Sequence, residues 1–302
     1  MKQTSPQLTM GSIHFHWPAD KWRDFYFKIA DEAPVDTVYL GEVVCSKRAI
    51  FTTPHYAEVV ERLVAGGKKV VFSTLSEVML KLDRNLVDSI CETEDFLVEA
   101  NDASALWRLT GQPHAIGPLL NVYSEDTLAF LAGNGAQHVA LAPELPAETL
   151  NVLSQKAQEL NVTLEAQVYG RMSLALSARC YHARAHDRVK STCKFICEED
   201  PDGLDLKTLD QKPILSINGI QTLSYTCLSL VNELKSMKEM GITHFRLSPH
   251  NHDMVEVARI FRDVLDDEIS PHRAEEKLEK INPDMPFSNG FYHKKSGYLK
   301  VS

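Results

Sequence analysis

Short apolar, β-branched runs alternate with longer amphipathic stretches along almost the whole chain. The short runs read as buried parallel strands at Ser12–His16, Asp36–Leu40, Lys69–Ser73, Phe96–Glu99, His114–Gly117, His138–Leu141, Thr163–Val168 and His244–Leu247. Between them, apolar residues recur at helical spacing from Pro54 to Ala65, Ser124 to Ala132, Ala147 to Leu160, Leu228 to Met240 and Asp253 to Val264. Gly66, Gly67, Gly133, Gly135 and Gly241 stand where helices should end. Repeated β-α units of this length imply a parallel sheet. Eight of them in under 270 residues predict an α/β fold, a (β/α)8 TIM-barrel-like architecture.

A ninth strand-like run, Pro213–Asn218, breaks the eightfold alternation. It reads as part of a long cysteine-bearing insertion after the seventh strand, at about 171–222. The expected organisation is one barrel domain over residues 1–270, insertion included, and a C-terminal tail over 271–302. That tail is rich in charge, Pro and Gly, and is expected to wander over the surface. Loops as long as the insertion are usually functional or disordered in compact domains, and three cysteines within it favour function.

The chain has 302 residues and is 44% hydrophobic, enough for a sizeable core. Its formal net charge of -9 argues against a broad nucleic-acid surface, so no nucleic-acid partner is expected. No run approaches the roughly 18 apolar residues of a membrane span. The opening Met1–Pro6 lacks an apolar signal region. The expected compartment is therefore the cytoplasm, where thiols stay reduced. The six cysteines are then ligands or core residues rather than disulfides.

Four of them form a candidate set. Cys193 and Cys197 make a tight C-x3-C pair, Cys180 lies just upstream among Arg and His, and Cys45 follows the second strand. Four thiolates suit an iron–sulfur cluster, and zinc accepts the same set. In a barrel the loops after strands two and seven leave the same face, so the four can meet. At i, i+4 the pair would share one face of a helical turn. Lys190, Lys194, Arg179, Arg184 and Arg188 would lower thiol pKa values and offset negative charge. The residues alone leave two readings open, a metal site or ordinary buried cysteines. Cys91 and Cys227, in apolar contexts, read as core.

Other polar residues fall near expected strand ends. Glu42, Glu99, Asn121, Glu144, Arg171 and Ser248 would face the barrel mouth, and Arg171 with Arg246 would suit a dicarboxylate by bidentate pairing. His14 with His16, and His250 with His252, have strand-like spacing, but no carboxylate stands at a telling distance from them. No H-E-x-x-H, G-x-S-x-G, Walker A or G-x-G-x-x-G motif occurs. No Ser-His-Asp or Cys-His arrangement has supporting context, so peptide cleavage is not what the residues point to.

Several longer segments carry a resemblance. Tyr39-Leu40-Gly41-Glu42-Val43-Val44-Cys45-Ser46-Lys47-Arg48 resembles the UbiU/UbiV branch of the collagenase-like peptidase family, and so does Tyr169-Gly170-Arg171-Met172-Ser173-Leu174-Ala175-Leu176-Ser177-Ala178-Arg179-Cys180. Cys193 with Cys197, Asn218-Gly219-Ile220-Gln221-Thr222 and Arg246-Leu247-Ser248-Pro249 extend it over about residues 10 to 265. The resemblance implies a [4Fe–4S] cluster held by Cys45, Cys180, Cys193 and Cys197. It implies a heterodimer with a UbiU-like partner that hydroxylates the ubiquinone precursor ring without O2. Prephenate is the oxygen donor it suggests, from relatives that hydroxylate RNA bases. A non-catalytic partner with a structural cluster, an RNA-hydroxylating protein and a peptidase are the alternative readings. With no membrane segment to hold an apolar quinone precursor, a lipid-carrying partner would have to deliver it.

Overall fold

The computed structural model describes residues 5–301. The first four residues of the opening stretch, on which the absence of a signal was read, lie outside the described residues. The chain begins with β1 (Gln7–Met10), α1 (Ala19–Glu32), β2 (Thr37–Leu40), α2 (Ala49–Thr52), α3 (Tyr56–Ala65) and β3 (Lys69–Ser73). It continues with α4 (Lys81–Cys91), β4 (Leu97–Ala100), α5 (Ala103–Leu109), β5 (His114–Ile116), α6 (Glu125–Gly133), β6 (Ala136–Leu141) and α7 (Ala147–Leu160). Then come β7 (Thr163–Leu176), α8 (Tyr181–Ala185), β8 (Leu204–Lys207), β9 (Pro213–Asn218) and β10 (Gln221–Ser229). The chain closes with α9 (Leu234–Met240), β11 (His244–Leu247), α10 (Met254–Leu265), α11 (Pro271–Ile281) and β12 (Phe287–Ser288).

Strands β1 to β7 lie side by side in order, and β11 pairs in parallel with both β1 and β7, closing an eight-stranded barrel. The predicted (β/α)8 fold is the observed one. Side chains alternate across each strand, and several barrel strands use that period to separate two chemistries. Leu8, Met10, Val38, Leu40, Leu164, Ala166, Phe245 and Leu247 belong to the main apolar core, and Val98 and Ala100 to a smaller one. The residue between each pair is Thr9, Tyr39, Glu165, Arg246 or Glu99, and these five meet inside the barrel.

There Arg246 Nε donates to Glu165 Oε2 at 2.8 Å and Nη2 donates to Glu99 Oε1 at 2.5 Å. The guanidinium also lies 4.0 Å from the centre of the Tyr39 ring. Hydroxyls of Thr9 and Tyr39 donate to Glu165, and Ser73 Oγ and Asn101 Nδ2 donate to Glu99. Burial alone would raise the Glu165 pKa, but Arg246 and His138 hold it well below the usual carboxylate range. The barrel axis is thus a buried ion network with its lone pairs taken up, which is what burying charge requires.

Four expectations need correction. No strand forms over Ser12–His16. The first strand is β1, and Ile13, Phe15 and Trp17 are buried by tertiary packing of a loop, Trp17 Nε1 donating to Pro201 O at 2.7 Å. The stretch from Leu228 is not yet helical, because Leu223, Cys227 and Leu228 bury as part of β10 and α9 starts at Leu234. The seventh strand runs on past Val168. Gly170, at φ +110, carries β7 out of the barrel, where it pairs antiparallel with β10. The insertion predicted at about 171–222 is therefore an extension of the barrel sheet, with β9 and β8 added outside β10 and the return strand running on to Ser229.

The tail also differs from expectation. Ser270 Oγ caps α11, whose Ala274 and Leu278, four residues apart, are fully buried in the core shared with α10. Then β12 pairs in parallel with β10 at Cys227 and Leu228. Two apolar residues at i, i+4 hold a charged helix that composition alone suggested would wander.

Candidate metal centre

The loop after β2 is shaped by two residues. Gly41 has φ +134, and a Cβ there would lie 2.2 Å from the Ser73 carbonyl oxygen, so only glycine lets the chain pass over the end of β3. Glu42 then folds inward, and its Oε1 accepts the amides of Val44 at 2.8 Å and Cys45 at 2.9 Å. Burial raises the Glu42 pKa against the pull of Arg48 and those amides. Glu42, expected at the barrel mouth, sets the conformation that presents Cys45. A 3-10 turn over Ser46–Arg48 follows, directly after Cys45.

The insertion comes to meet this loop. A two-residue turn joins β9 to β10, with Gly219 at φ +62 in its first central position, as a type II′ hairpin requires. Ile220 packs against Val43 and Val44, with Cys45, Cys180 and Leu176 beside them. Arg48 is 2% exposed. Its Nη2 donates to Asn218 Oδ1 at 2.9 Å and its Nη1 to His14 O at 2.8 Å. One cation thus ties together the loop after β1, the loop after β2 and the insertion hairpin.

The other three cysteines sit on short turns. Cys180 is the N-cap of α8, its Sγ accepting the Ala183 amide at 3.4 Å. Cys193 ends a 3-10 turn over Lys190–Thr192, and Cys197 is buried in another over Ile196–Glu199. Lys194 and Phe195 between them adopt left-handed φ angles of 50° and 54°. The C-x3-C pair therefore does not share a helical face, as its spacing suggested. The chain reverses between the two thiols, at a strain of roughly 1–3 kcal/mol per residue that must be held by its surroundings. The Phe195 ring packs 4.9 Å from Phe51 and 5.6 Å from His16, and Lys47 Nζ lies 5.3 Å from its centre.

The four sulfurs share one electrostatic neighbourhood. Cys180 is influenced by Cys45 and Cys193, Cys197 by Cys180 and Cys193, and Arg48 faces both Cys45 and Cys197. Burial raises the thiol pKa values of Cys45, Cys180 and Cys197, with Arg48 opposing it in each case. Cys193 goes the other way. Burial would raise it, but the Phe195 amide and the Lys47 ammonium, 3.2 Å from its Sγ, bring it below its ordinary value. Of the expected cations, Arg188 bonds the Cys193 carbonyl at 3.1 Å and Lys190 acts on Cys45. The direct partners of the sulfurs are Lys47 and Arg48. Sequence reasoning passed over them, although two cations placed two and three positions after a candidate thiol are a readable signal. Cys91 ends α4, and Cys227 is buried in β10 beside β12.

Residues 25–301 match Peptidase family U32. The chain belongs to this family. Solved structures that match include an uncharacterized B. cereus protein, at 8% identity and a TM-score of 0.38, covering 81% of this chain. The U32 chain spans about 61% of the length of that protein. A xylose isomerase-like TIM barrel protein from Mycobacterium smegmatis in complex with magnesium matches at 11% identity and TM-score 0.31, covering 89% of this chain and 100% of that one. The Bacillus megaterium QM B1551 spore cortex-lytic enzyme SleL matches at 9% identity and TM-score 0.32, covering 86% and 75%.

In this U32 barrel the remaining mouth candidates are mostly engaged. Arg246 is committed to Glu99 and Glu165. Arg171 Nη1 donates to the carbonyls of Ser224 and Tyr225, both at 2.8 Å, and Nη2 stands 3.3 Å from Asp205. The Arg246 fork is taken by the two carboxylates, and of the Arg171 fork only Nε is left without a partner among the described residues. Glu144 accepts the Tyr123 hydroxyl, and Asn121 takes a left-handed φ of 54° after a 3-10 turn. Ser248 lines a small cavity with Ser12, His14, Gln167 and Arg246. His14 and His16 lie in the loop after β1, and burial lowers both to a pKa of about 4. His250 Nε2 accepts the Arg171 amide at 2.9 Å, so its Nδ1 carries the proton, 3.2 Å from Asp202 Oδ1.

Proposed function

We propose that this U32 protein holds a [4Fe–4S] cluster through Cys45, Cys180, Cys193 and Cys197, and serves as the iron–sulfur subunit of an O2-independent hydroxylase. The substrate would be the ubiquinone precursor ring, the partner a UbiU-like protein, and the oxygen donor a compound such as prephenate. The observation that supports the reading is that thiols from three separated segments have the same two cations beside them, Arg48 acting on Cys45, Cys180 and Cys197 and Lys47 on Cys193. Four sulfur donors beside two fixed cations fit a cluster whose net charge is negative. When bound, such a cluster supplies one-electron transfer or a site that activates the oxygen donor.

The chain's own residues do the rest. Glu42 and the Gly219 turn hold the thiol-bearing loops in place, and Arg48 keeps them joined. Lys47 favours thiolate at Cys193 before assembly. Phe51, Phe195 and His16 form an aromatic wall beside Cys193, a surface suited to a phenolic ring. A second reading is that the cluster only stitches the insertion to the barrel, and the left-handed backbone at Lys194 and Phe195 favours it. A lipid-carrying protein would deliver the apolar precursor under either reading.

Anaerobic purification with iron and acid-labile sulfide analysis tests the proposal. The expected result is about four of each per chain, with a visible band that bleaches in air. Zinc alone, or no metal after anaerobic reconstitution, sinks it. A cluster-free variant that folds, pairs with its partner and no longer supports anaerobic quinone synthesis favours the redox role. One that unfolds favours stitching.

A further inference from the structure

Beside the thiols lies a second group of ligand atoms. His182 and His186 are four residues apart, on and just after α8, and Asp200 ends the turn that carries Cys197. One ligand atom from each of the three lies within 4.8 Å of the others. His182 is fully buried, and its Nε2 stands 2.9 Å from Asp200 Oδ2. The two imidazoles stack with centroids 5.7 Å apart and planes 16° from parallel. Each ring has a buried nitrogen that no group among the described residues satisfies, Nδ1 of His182 and Nε2 of His186. Leaving such an atom unpaired costs about 1–3 kcal/mol; Nδ1 of His182 points away from Asp200, so it is the unpaired Nε2 of His186 that hydrogen bonding within the triad leaves unexplained.

We propose that His182, His186 and Asp200 bind a divalent cation of the zinc or ferrous class, distinct from the four-cysteine centre. Two imidazoles and one carboxylate are a donor set for such borderline ions and leave a position open. Bonds of about 2.0–2.2 Å draw ligands slightly closer than the observed limit. His182 and Asp200 are near that spacing already, and metal at Nε2 would leave the neutral imidazole's proton on Nδ1. The cation would cross-link α8, capped by Cys180, to the residue that follows the Cys197 turn. It would thus fix the two ends of the reversing loop that presents Cys193. The inference stands on these three side chains and does not depend on the identity of the group at the thiols.

The test is zinc binding by the full chain under argon. Equilibrium dialysis with elemental analysis is run on wild type, His186→Ala and Asp200→Asn, and zinc-edge X-ray absorption on wild type. Iron and sulfide are counted in the same samples. The expected result is one zinc per wild-type chain in a nitrogen and oxygen shell, lost in both variants with iron and sulfide unchanged. His186→Ala lies at the end of a short helix and Asp200→Asn keeps the side-chain shape, so both should fold. The absorption result on wild type stands even if one does not. Wild-type zinc held by sulfur alone, no zinc, or equal zinc in the variants overturns the proposal. Failure of the cluster reading shows separately, as absent iron and sulfide.

Discussion

The barrel axis and the barrel rim handle buried polarity in opposite ways. At the axis, Arg246 sits between Glu99 and Glu165, and hydroxyls of Thr9, Tyr39 and Ser73 fill the remaining lone pairs. At the rim, each of the four thiols has a backbone amide or a cation beside it: the Lys47 amide at Cys45, the Ala183 amide at Cys180, Lys47 and the Phe195 amide at Cys193, and Arg48 at Cys197. At the axis both carboxylates have their cation and their hydroxyl donors without a guest. Under the proposed function, the rim is the place where a guest would complete the donors. A satisfied network is how a fold tolerates charge, and an assembled set of donors is how it prepares to bind.

The sharpest way to break this contrast is to remove the thiols. Changing Cys45, Cys180, Cys193 or Cys197 to Ala should abolish iron and sulfide retention, and anaerobic quinone synthesis with it, while the urea midpoint of the metal-free chain barely moves. Complementation of a strain lacking the protein reads the first effect. Normal quinone levels with all four replaced would falsify the cluster assignment.

Removing Arg246 should do the reverse. Arg246→Met leaves two carboxylates buried without their cation, at a cost of about 3–5 kcal/mol in urea unfolding. The pH dependence should change sign. In wild type the depressed Glu165 pKa gives stability that is complete above the unfolded carboxylate value and is lost as pH falls below it. Without Arg246, burial raises that pKa. The variant should then be relatively more stable in mild acid and lose stability as pH rises toward neutrality. Urea midpoints at both pH values check this, and an unchanged acid limb means the axis is not held by this ion pair.

Gly41 joins the two regions, because the carbonyl of Ser73 blocks its Cβ while the hydroxyl of the same residue serves Glu99. Gly41→Ala should cost roughly 1–3 kcal/mol through strain at a positive φ and also lower iron occupancy, since Cys45 follows it closely. Loss of stability with full iron content would uncouple the rim from the barrel end.

Much of this was legible in the chain. The alternation of strand-like and helical periods carried the barrel, and Cys180, Cys193 and Cys197 were legible as belonging to the segment that follows the seventh strand. The axis was harder to read. Thr9, Tyr39, Glu99, Glu165 and Arg246 each stand alone in an apolar run, and nothing local says that five such residues meet. Ser12–His16 failed for a related reason, since period-two alternation marks burial on one side and a packed loop produces it as well as a strand does. The tail misled because composition weighs all residues equally, whereas Ala274 and Leu278 decide its fate.

The smallest expected effect is the most specific. The Lys47 ammonium lies 3.2 Å from Cys193 Sγ, and it helps bring the Cys193 pKa below its ordinary value against burial. Lys47→Met keeps the length of the side chain and removes the charge. In the metal-free reduced chain, alkylation of Cys193, followed by mass spectrometry across pH, should shift to higher pH. Cys45 and Cys180 should hold their profiles, because Arg48 is the cation that acts on both. A shift at all three thiols would mean that the lysine acts through the general field of the rim rather than through one contact. No shift at Cys193 would mean that the Phe195 amide alone lowers its pKa, and the rim would then owe its readiness to backbone geometry, to the left-handed turn at Lys194 and Phe195, rather than to charge.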